Sequence, residues 1–274
     1  MKVSFFGTRG SCPSPGKNTV KYGGNTACVL VESNDGRKLI LDAGTGIRAL
    51  GDEFIKNDDD IFLLITHNHY DHIQGFPFFK PIYQKERNIN IYPSVTEPDS
   101  PRAIVEQLQG SYSPIDAKMM VANIQFRFPN WQQETVEING FTVSRKPMNH
   151  PNGGMSFLIS SDDATVAYVT DNELNALDAV MTLKQWQSFV AGVDLLIHDG
   201  QYINEDMPLK QGWGHSLITD CLNLAITAKV KNLAIYSHDP ERTDVELDQL
   251  QVEIDANQGS VNAFLSREGQ SVQL

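Results

Sequence analysis

Short apolar stretches separated by turn residues predict a fold rich in β-strands. Strands are predicted at residues 3–6, in the run that ends at Val31, and at residues 39–41, where Asn34-Asp35-Gly36 marks a hairpin turn between the second and third. A helix is predicted where apolar residues recur at helical spacing, at Ile47, Leu50 and Phe54. This first part therefore indicates an antiparallel sheet with a helix beside it.

Strand and helix patterns alternate along the rest of the chain. Further strands are predicted at residues 61–65, 141–143, 155–159, 165–169, 193–197 and 233–236. Helices are predicted at residues 100–110, between Leu177 and Val190, after Ser216 as an N-cap, and after a capping box of Thr243 and Glu246. No linker or repeat interrupts the pattern, which predicts one α/β (α+β) domain over residues 1–274, with a short insertion around 97–131 beside the site.

Composition and charge narrow the class of protein. Apolar residues make up 41% and charged residues 20% of the 274, which is ordinary for a soluble enzyme. No apolar stretch has membrane-spanning length, and three widely spaced cysteines indicate neither a disulfide framework nor a cysteine zinc site. These features predict a cytoplasmic protein with no membrane partner. The net charge of −12 argues against a long nucleic acid and leaves a small anionic substrate.

One loop concentrates the candidate chemistry. His67, His69, Asp71 and His72 follow directly after the predicted strand 61–65, although the chain has only seven histidines. Imidazole nitrogens and carboxylate oxygens suit zinc and its first-row neighbours. One ion cannot easily accept all four side chains from so short a loop, whereas two ions can share them.

Other candidate residues stand where later strands end. His150 and Asp171 follow two predicted strands, and His198-Asp199 and His238 end two more. A single polar residue at a strand end is usually only a turn residue. Here the metal-binding interpretation gains weight, because the upstream loop still lacks ligands and a bridging carboxylate.

The order of these residues resembles the metallo-β-lactamase superfamily. The pattern is His67-x-His69-x-Asp71-His72, followed by His150, Asp171 and His238. The resemblance implies a four-layer αββα sandwich with the metals at one edge of two packed sheets. It further implies that His67, His69 and His150 hold one ion, that Asp71, His72 and His238 hold another, that Asp171 bridges both, and that Asp42 orients the histidine loop.

The C-terminal part is similar to the ribonuclease Z and cyclic phosphodiesterase branch of that superfamily. Gly214-His215-Ser216 precedes a predicted helix, and Asp199 lies upstream. The resemblance implies that His215 protonates the leaving group and that Asp199 supports it. The chain departs from ribonuclease Z by having aspartate rather than glutamate at 199. It also lacks a basic Gly/Pro-rich arm, which argues against tRNA processing.

Together, the residues and the resemblance predict a metal-dependent hydrolase. The expected reaction is hydrolysis of a small phosphodiester, such as a cyclic nucleotide, by a hydroxide held between two divalent ions. Zn²⁺ is the expected metal, with Mn²⁺ or Fe as alternatives, and the predicted catalytic residues are Asp71, Asp199 and His215. A thioesterase or lactonase of the same fold, or a non-enzymatic metal-binding member, are the alternative functions. Dimers are common among the relatives, so the resemblance admits a homodimer.

Overall fold

The apolar stretches pair into two sheets in a computed structural model, which describes residues 1–94, 100–110, 113, 115–161 and 164–274. The strands in chain order are β1 (Lys2–Gly7), β2 (Cys28–Glu32), β3 (Lys38–Leu41), β4 (Ile61–Ile65), β5 (Asn88–Pro93), β6 (Asn123–Phe126), β7 (Val136–Ile138), β8 (Phe141–Pro147), β9 (Met155–Ser161), β10 (Ala164–Val169), β11 (Leu195–Asp199), β12 (Asn232–Tyr236), β13 (Asn262–Leu265) and β14 (Ser271–Gln273). One sheet has the order β14-β1-β2-β3-β4-β5-β6, and the other has the order β13-β12-β11-β10-β9-β8-β7.

Each sheet combines an antiparallel and a parallel half. β1, β2 and β3 are antiparallel, whereas β3, β4, β5 and β6 run parallel. In the other sheet, β7 to β10 are antiparallel, and β10, β11, β12 and β13 run parallel. The carboxyl ends of neighbouring parallel strands lie at one edge, which is where such sheets place their sites. The loops after β4, β10 and β11 therefore begin at such edges.

The helices cover the outer faces of the two sheets. They are α1 (Ile47–Phe54), α2 (Tyr70–Ile73), α3 (Ala103–Glu106), α4 (Leu183–Phe189), α5 (Ile218–Thr227) and α6 (Asp244–Asn257). One apolar cluster lies between the sheets and includes Val29, Phe157 and Tyr236. A second joins α1 and α3 to the first sheet, and a third joins α4, α5 and α6 to the second. The predicted four-layer αββα sandwich is confirmed.

Two helix starts differ from the prediction. Leu177 and Val180 are 90% and 63% exposed, and α4 begins only at Leu183, where the side chains of Thr182 and Gln185 form a capping box. α5 has Leu217 as its N-cap residue. Ser216 does not cap it, because its hydroxyl donates to the carbonyl oxygen of Asn172 and accepts the amide of Leu174 instead.

The segment predicted as an insertion is only partly described. Residues 97–99, 111, 112 and 114 lie outside the described residues. Within the rest, α3 is shorter than the helix predicted over 100–110, and β6 pairs with β5 as the outermost strand of its sheet. The single domain and its insertion remain a prediction. None of the described helices is long and apolar enough to cross a membrane.

Candidate metal centre

The histidine loop leaves the sheet at the end of β4 and turns at once into α2. Thr66 is fully buried, and both its amide and its hydroxyl donate to the carboxylate of Asp42. The first turn of α2 then carries Asp71 and His72, which are both buried. One short turn thus aims four predicted ligands from one sheet toward the other.

Five predicted ligands meet around the carboxylate of Asp171, which follows β10 in the opposite sheet. Its Oδ2 atom lies 3.2 Å from His72 Nε2, 3.6 Å from His67 Nε2 and 3.7 Å from His150 Nε2. The predicted ligands form two groups, and within each group the ligand atoms lie within 4.8 Å of one another. The first group is His67, His69, His150 and Asp171, and the second is Asp71, His72 and Asp171. Asp171 belongs to both groups, which is the position that the sequence predicts for a bridging ligand.

Each of three histidines is held by one ring nitrogen and presents the other to the cluster. His72 Nδ1 donates to Asp42 Oδ2 at 2.8 Å, and His150 Nδ1 donates to the carbonyl oxygen of Gly214 at 2.9 Å. His67 Nδ1 lies 3.0 Å from the hydroxyl of Thr66. Hydrogen bonds of this kind fix the ring orientation of metal-binding histidines. The predicted orienting role of Asp42 agrees with its position.

The donor atoms fit a divalent ion. Two ligand atoms on one tetrahedral zinc, each about 2.1 Å from it, stand roughly 3.4 Å apart. The observed separations around Asp171 are 3.2–3.7 Å, and His150 Nε2 lies 3.1 Å from His69 Nδ1. His67 Nε2 is buried without a hydrogen-bond partner among the described residues. Burial, together with the charge of His72, lowers the pKa of His67 well below its usual value, which leaves a neutral imidazole with a free lone pair.

The carboxylates make the cluster favourable for positive charge. Burial by itself lowers the pKa of His72, but Asp171, Asp71 and Asp42 outweigh burial and raise it well above the usual value. A position where three carboxylates stabilise a proton on a buried ring also stabilises a metal cation.

His215 and Asp199 form a buried pair beside the cluster. His215 Nδ1 donates to Asp199 Oδ2 at 2.8 Å, and the backbone amide of Asn172 donates to the same oxygen. The ring of His215 packs edge-on against the ring of His150, with 5.3 Å between centroids. Burial lowers the pKa of His215, but the contact with Asp199 outweighs it and raises this pKa to about 9. The second ring nitrogen therefore belongs to an imidazolium next to the candidate metal ligands.

His238 is not among the residues whose ligand atoms lie within 4.8 Å of one another, so its role as a metal ligand stays a prediction. Its Nε2 donates to the carbonyl oxygen of Ser266 at 2.8 Å, and its ring packs edge-on against Tyr22. The reason is the turn that ends β12. Ser237 adopts a left-handed conformation with φ 59°, and the backbone amide of His238 then bonds to Thr8. In this arrangement His238 bonds to Thr8 and Ser266, the residues that follow β1 and β13.

Several residues of the site were missed by sequence reasoning. Tyr168 donates its hydroxyl to Asp42, and the buried carboxylate of Glu173 accepts the amides of Gly212 and Gly214. Trp213, between those two glycines, is 60% exposed. The only sequence signal was the position of Glu173, two residues after Asp171, and the glycines on both sides of Trp213.

A cavity of about 620 Å³ opens above the cluster. Its wall includes four of the predicted metal ligands together with two exposed aromatic residues, Tyr70 and Trp213. Lysine and arginine are absent from its described lining, which consists of Ser11, Asn68, His69, Tyr70, Asp71, His150, Pro151, Asp171, Tyr202, Gly212, Trp213 and His215. The described wall of this cavity is therefore aromatic and polar and offers no cationic side chain.

A family model described as the beta-lactamase superfamily domain matches residues 37–238. This match covers most of the chain and includes all seven predicted metal ligands, with His238 as its last residue, as well as Asp199 and His215. The family therefore accounts for both the fold and the edge at which the cluster lies.

Similar proteins point to one branch of this superfamily. The chain is 33% identical to ribonuclease Z of Saccharolobus solfataricus over 112 residues, which are 41% of this chain and 32% of that relative. It is 22% identical to ribonuclease Z of Staphylococcus epidermidis over 289 aligned positions, which cover 90% of each protein. The structure of the metallo-beta-lactamase fold protein YhfI from Bacillus subtilis superposes with a TM-score of 0.71 and 17% identity, over 99% of both chains.

The two ribonuclease Z relatives bear on the prediction that the protein does not bind long nucleic acids. The match spans only about a third of the length of the archaeal relative, so its whole activity does not carry over. Because both relatives are named as ribonucleases, the expected exclusion of long nucleic acids has no support from them.

The fold, the family match and the relatives together support a hydrolase, and the chain belongs to the metallo-β-lactamase superfamily, in its ribonuclease Z-like branch.

Proposed function

We propose that the chain is a metal-dependent phosphodiesterase that hydrolyses a small phosphodiester such as a cyclic nucleotide. The observation that carries this proposal is the buried pair of His215 and Asp199 beside the cluster. Hydrolysis of a phosphodiester expels an alkoxide that needs a proton, and a held imidazolium is suited to supply it. Hydrolysis of a thioester has less need of such a donor, because a thiolate leaves readily.

In this proposal the cluster holds the metal. His67, His69, His150 and Asp171 would hold one ion, and Asp71, His72 and Asp171 would hold another. Zn²⁺ is the first choice for a set of imidazole and carboxylate ligands, and Mn²⁺ and Fe are alternatives. When bound, such ions lower the pKa of a water molecule and neutralise negative charge that develops at phosphorus.

His215 and Asp199 would handle the proton of the leaving group. Asp199 accepts the Nδ1 hydrogen of His215 and so leaves Nε2 as the nitrogen that exchanges a proton. His215 Nε2 would donate to the departing oxygen and become neutral. Asp199 acts through His215 and is therefore a positioning residue. Cations at the cluster would lower the pKa of His215 by charge repulsion, toward the range that suits an acid at neutral pH.

The cavity supports a small substrate with an aromatic ring system. Tyr70 and Trp213 are 65% and 60% exposed on its wall. Stacking of a base on an aromatic side chain contributes about 1–3 kcal/mol per base. Because the described lining offers no lysine or arginine, we infer that the bases are held by stacking while the cluster holds the phosphodiester.

Replacement of His215 tests the proposal. We expect His215→Ala to lower kcat on a cyclic nucleotide, whose leaving alkoxide needs a proton, by about 10²–10⁴-fold, the usual contribution of a general acid. Hydrolysis of p-nitrophenyl acetate by the same protein should change little, because that leaving group needs no proton.

Other results of this assay would contradict the proposal. Retained diesterase activity in His215→Ala, with strong activity on esters, would favour the thioesterase or lactonase. Absence of hydrolysis of diesters and esters by the metal-loaded protein would favour a non-enzymatic member.

We further propose that the protein is cytoplasmic and that it forms a homodimer. Cys12, Cys28 and Cys221 are all unpaired, which agrees with a cytoplasmic location. A homodimer remains a prediction that size-exclusion chromatography with light scattering can test.

A further inference from the structure

The indole ring of Trp213 forms part of the cavity wall, but no polar or aromatic contact holds it there. The residue is 60% exposed, and its side chain has no hydrogen bond, ion pair or aromatic ring contact with another described residue. The position of the ring therefore depends on the backbone of the two residues beside it, Gly212 and Gly214.

One carboxylate accepts hydrogen bonds from both of these glycines. Glu173 Oε2 accepts the amide of Gly212 at 3.1 Å and the amide of Gly214 at 3.0 Å, and Oε1 lies 3.1 Å from the same Gly212 amide. Both glycines have positive φ, 82° and 88°. Backbone amides that converge in a turn form a concave site for an anion. In this chain, the side chain of Glu173 occupies that site.

The carboxylate of Glu173 relies on these amides for its compensation. It is 5% exposed and forms no ion pair with a described residue. Burial of a carboxylate is costly unless hydrogen bonds compensate for the lost water, and amide hydrogen bonds to a carboxylate are about twice as strong as those between neutral groups. Removal of the carboxylate would thus leave the two glycine amides without their acceptor.

The main chain of Glu173 is itself fixed beside the cluster. Its amide donates to the carbonyl oxygen of Asn149 at 2.9 Å, and its carbonyl oxygen accepts from Asn149 Nδ2 at 3.1 Å. Asn149 directly precedes His150, and Glu173 follows closely after Asp171. The carboxylate therefore sets the distance between Trp213 and the candidate metal ligands.

Two ion pairs hold the same loop farther from Trp213. Lys210 Nζ lies 2.6 Å from Asp239 Oδ2, and Arg242 Nη2 lies 2.9 Å from Asp206 Oδ2. Both pairs fasten the loop on the N-terminal side of Gly212. Glu173 is the side chain that holds the residues on both sides of Trp213.

We propose that Glu173 is a positioning residue for substrate recognition, whose carboxylate holds residues 212–214 so that Trp213 stacks on the base of the substrate. This inference rests on the proposed function in its premise that a base stacks on Trp213. Because one stacking contact contributes a factor of about 5 or more to binding, loss of Glu173 should weaken recognition of the base by a similar factor.

Kinetics with and without a base test the inference. For metal-loaded protein, kcat/KM is measured on 3′,5′-cyclic AMP and on the cyclic phosphate of the same sugar without its base. We expect Trp213→Ala and Glu173→Ala each to lower the ratio of the two values by about fivefold or more. Glu173→Gln, which keeps one acceptor oxygen, should lower it less. Asp178→Asn is the matched control, because it removes an exposed carboxylate from the same loop.

A double variant shows whether Glu173 acts through Trp213. If it does, Glu173→Ala combined with Trp213→Ala should have the same ratio as Trp213→Ala alone. Effects that multiply in the double variant would overturn the inference. An equal loss of kcat/KM on both substrates, with an unchanged ratio, would also overturn it, because Glu173 would then support only the fold or the cluster.

Fluorescence tests the same contact without any substrate. The contribution of Trp213 is the difference between each protein and its Trp213→Phe form. In Glu173→Ala and Glu173→Gln we expect a faster decay of anisotropy and stronger quenching by acrylamide than in the unchanged protein, with thermal unfolding as the check that each variant is folded. An unchanged signal would overturn the inference and leave the phosphodiesterase proposal standing.

Binding of AMP separates the inference from the proposed function. Isothermal titration calorimetry measures this affinity even if the protein hydrolyses no phosphodiester, a result that would overturn the proposed function alone. We expect the dissociation constant of AMP to rise by about fivefold or more in both Trp213→Ala and Glu173→Ala. A rise in Trp213→Ala but not in Glu173→Ala would overturn the inference.

Discussion

Buried histidines of this chain divide into two kinds by the partners of their ring nitrogens. His72 and His150 each donate a hydrogen bond from one ring nitrogen to an oxygen behind the cluster and turn the other nitrogen toward the cluster. His238 instead donates to a backbone carbonyl in a fully buried contact, and burial lowers its pKa to about 4. The same residue type therefore faces the cluster in one place and a backbone carbonyl in another.

The buried state of His238 predicts a loss of stability in acid. The unfolded chain binds a proton at this residue below about pH 6.5, whereas the folded chain binds it only near pH 4. Stability therefore falls as the pH drops from 6.5 to 4, by about 3 kcal/mol from this group. Urea unfolding of metal-free protein at several pH values should show a smaller decrease for His238→Gln than for the unchanged protein. Identical decreases in the two proteins would contradict this explanation.

At the residue scale, sequence order predicted the residues of the cluster but not the contacts of His238. His67, His69, Asp71 and His72 lie on one short loop, so local geometry brings them together once β4 is known. His150 and Asp171 follow β8 and β10, which both pair antiparallel with β9 and therefore end at the same edge of the sheet. The fate of His238 depends on the left-handed turn at Ser237 and on the contact with Thr8, and neither leaves a mark in a residue pattern.

Among the elements, the loop that contains Trp213 deserves a test because it supports His150. Gly214 has φ 88°, and a Cβ atom there would lie 2.1 Å from His150 Nδ1. Gly212 has a similar φ of 82°, but a Cβ there would meet no atom within 4 Å. The two glycines therefore need the same backbone conformation and differ in the room for a side chain.

Substitution of these glycines by alanine should separate strain from displacement. Both changes place alanine in a left-handed conformation, which costs roughly 1–2 kcal/mol. Only Gly214→Ala should also push the His150 ring and weaken binding of Zn²⁺ by the first group of ligands, by about 10-fold or more. Gly212→Ala is the matched control, and competition with a zinc-binding dye together with thermal unfolding measures both effects. Equal zinc affinity in the two variants would show that His150 does not depend on this loop.

Element types were predicted better than their ends. The capping box of Thr243 and Glu246 fixed the start of α6, because both partners lie within one turn. The predicted start of α4 was wrong because the apolar residues 177 and 180 have the spacing of a helical face although they are exposed. Ser216 resembles an N-cap by residue type, but its hydroxyl is bonded to the loop after β10, a contact that only the fold creates.

For the molecule as a whole, the net charge and the cavity lining predict that the affinity for substrate depends only weakly on salt concentration. The net charge is −12, and the described lining of the cavity contains no lysine or arginine. The nearby Lys210 is paired with Asp239 at 2.6 Å. One phosphate contact implies about a threefold loss of affinity from about 50 to about 200 mM salt, whereas many contacts imply about 10³–10⁵-fold.

Kinetics at several salt concentrations can therefore measure how many phosphate groups of a nucleic acid contact the protein. We expect KM for a cyclic or dinucleotide substrate to change by about threefold or less over that range. A steep salt dependence with an RNA of tRNA length, and better turnover of it, would indicate an RNA-processing enzyme instead. Poly-aspartate added at equal charge concentration controls for effects of ionic strength on the protein.

The cluster draws its ligands from both sheets, and this arrangement has a mechanical consequence. His67, His69, Asp71 and His72 follow β4 in one sheet, whereas His150 and Asp171 belong to loops of the other. An ion bound among these residues would link the two sheets, since it can bind to all of them only when the sheets are packed against each other. Free metal at about 100 times its dissociation constant then adds roughly 2.7 kcal/mol to the free energy of unfolding. Chelation should accordingly lower the melting temperature and loosen the seam between the sheets first, which hydrogen exchange of β4 and β10 would reveal.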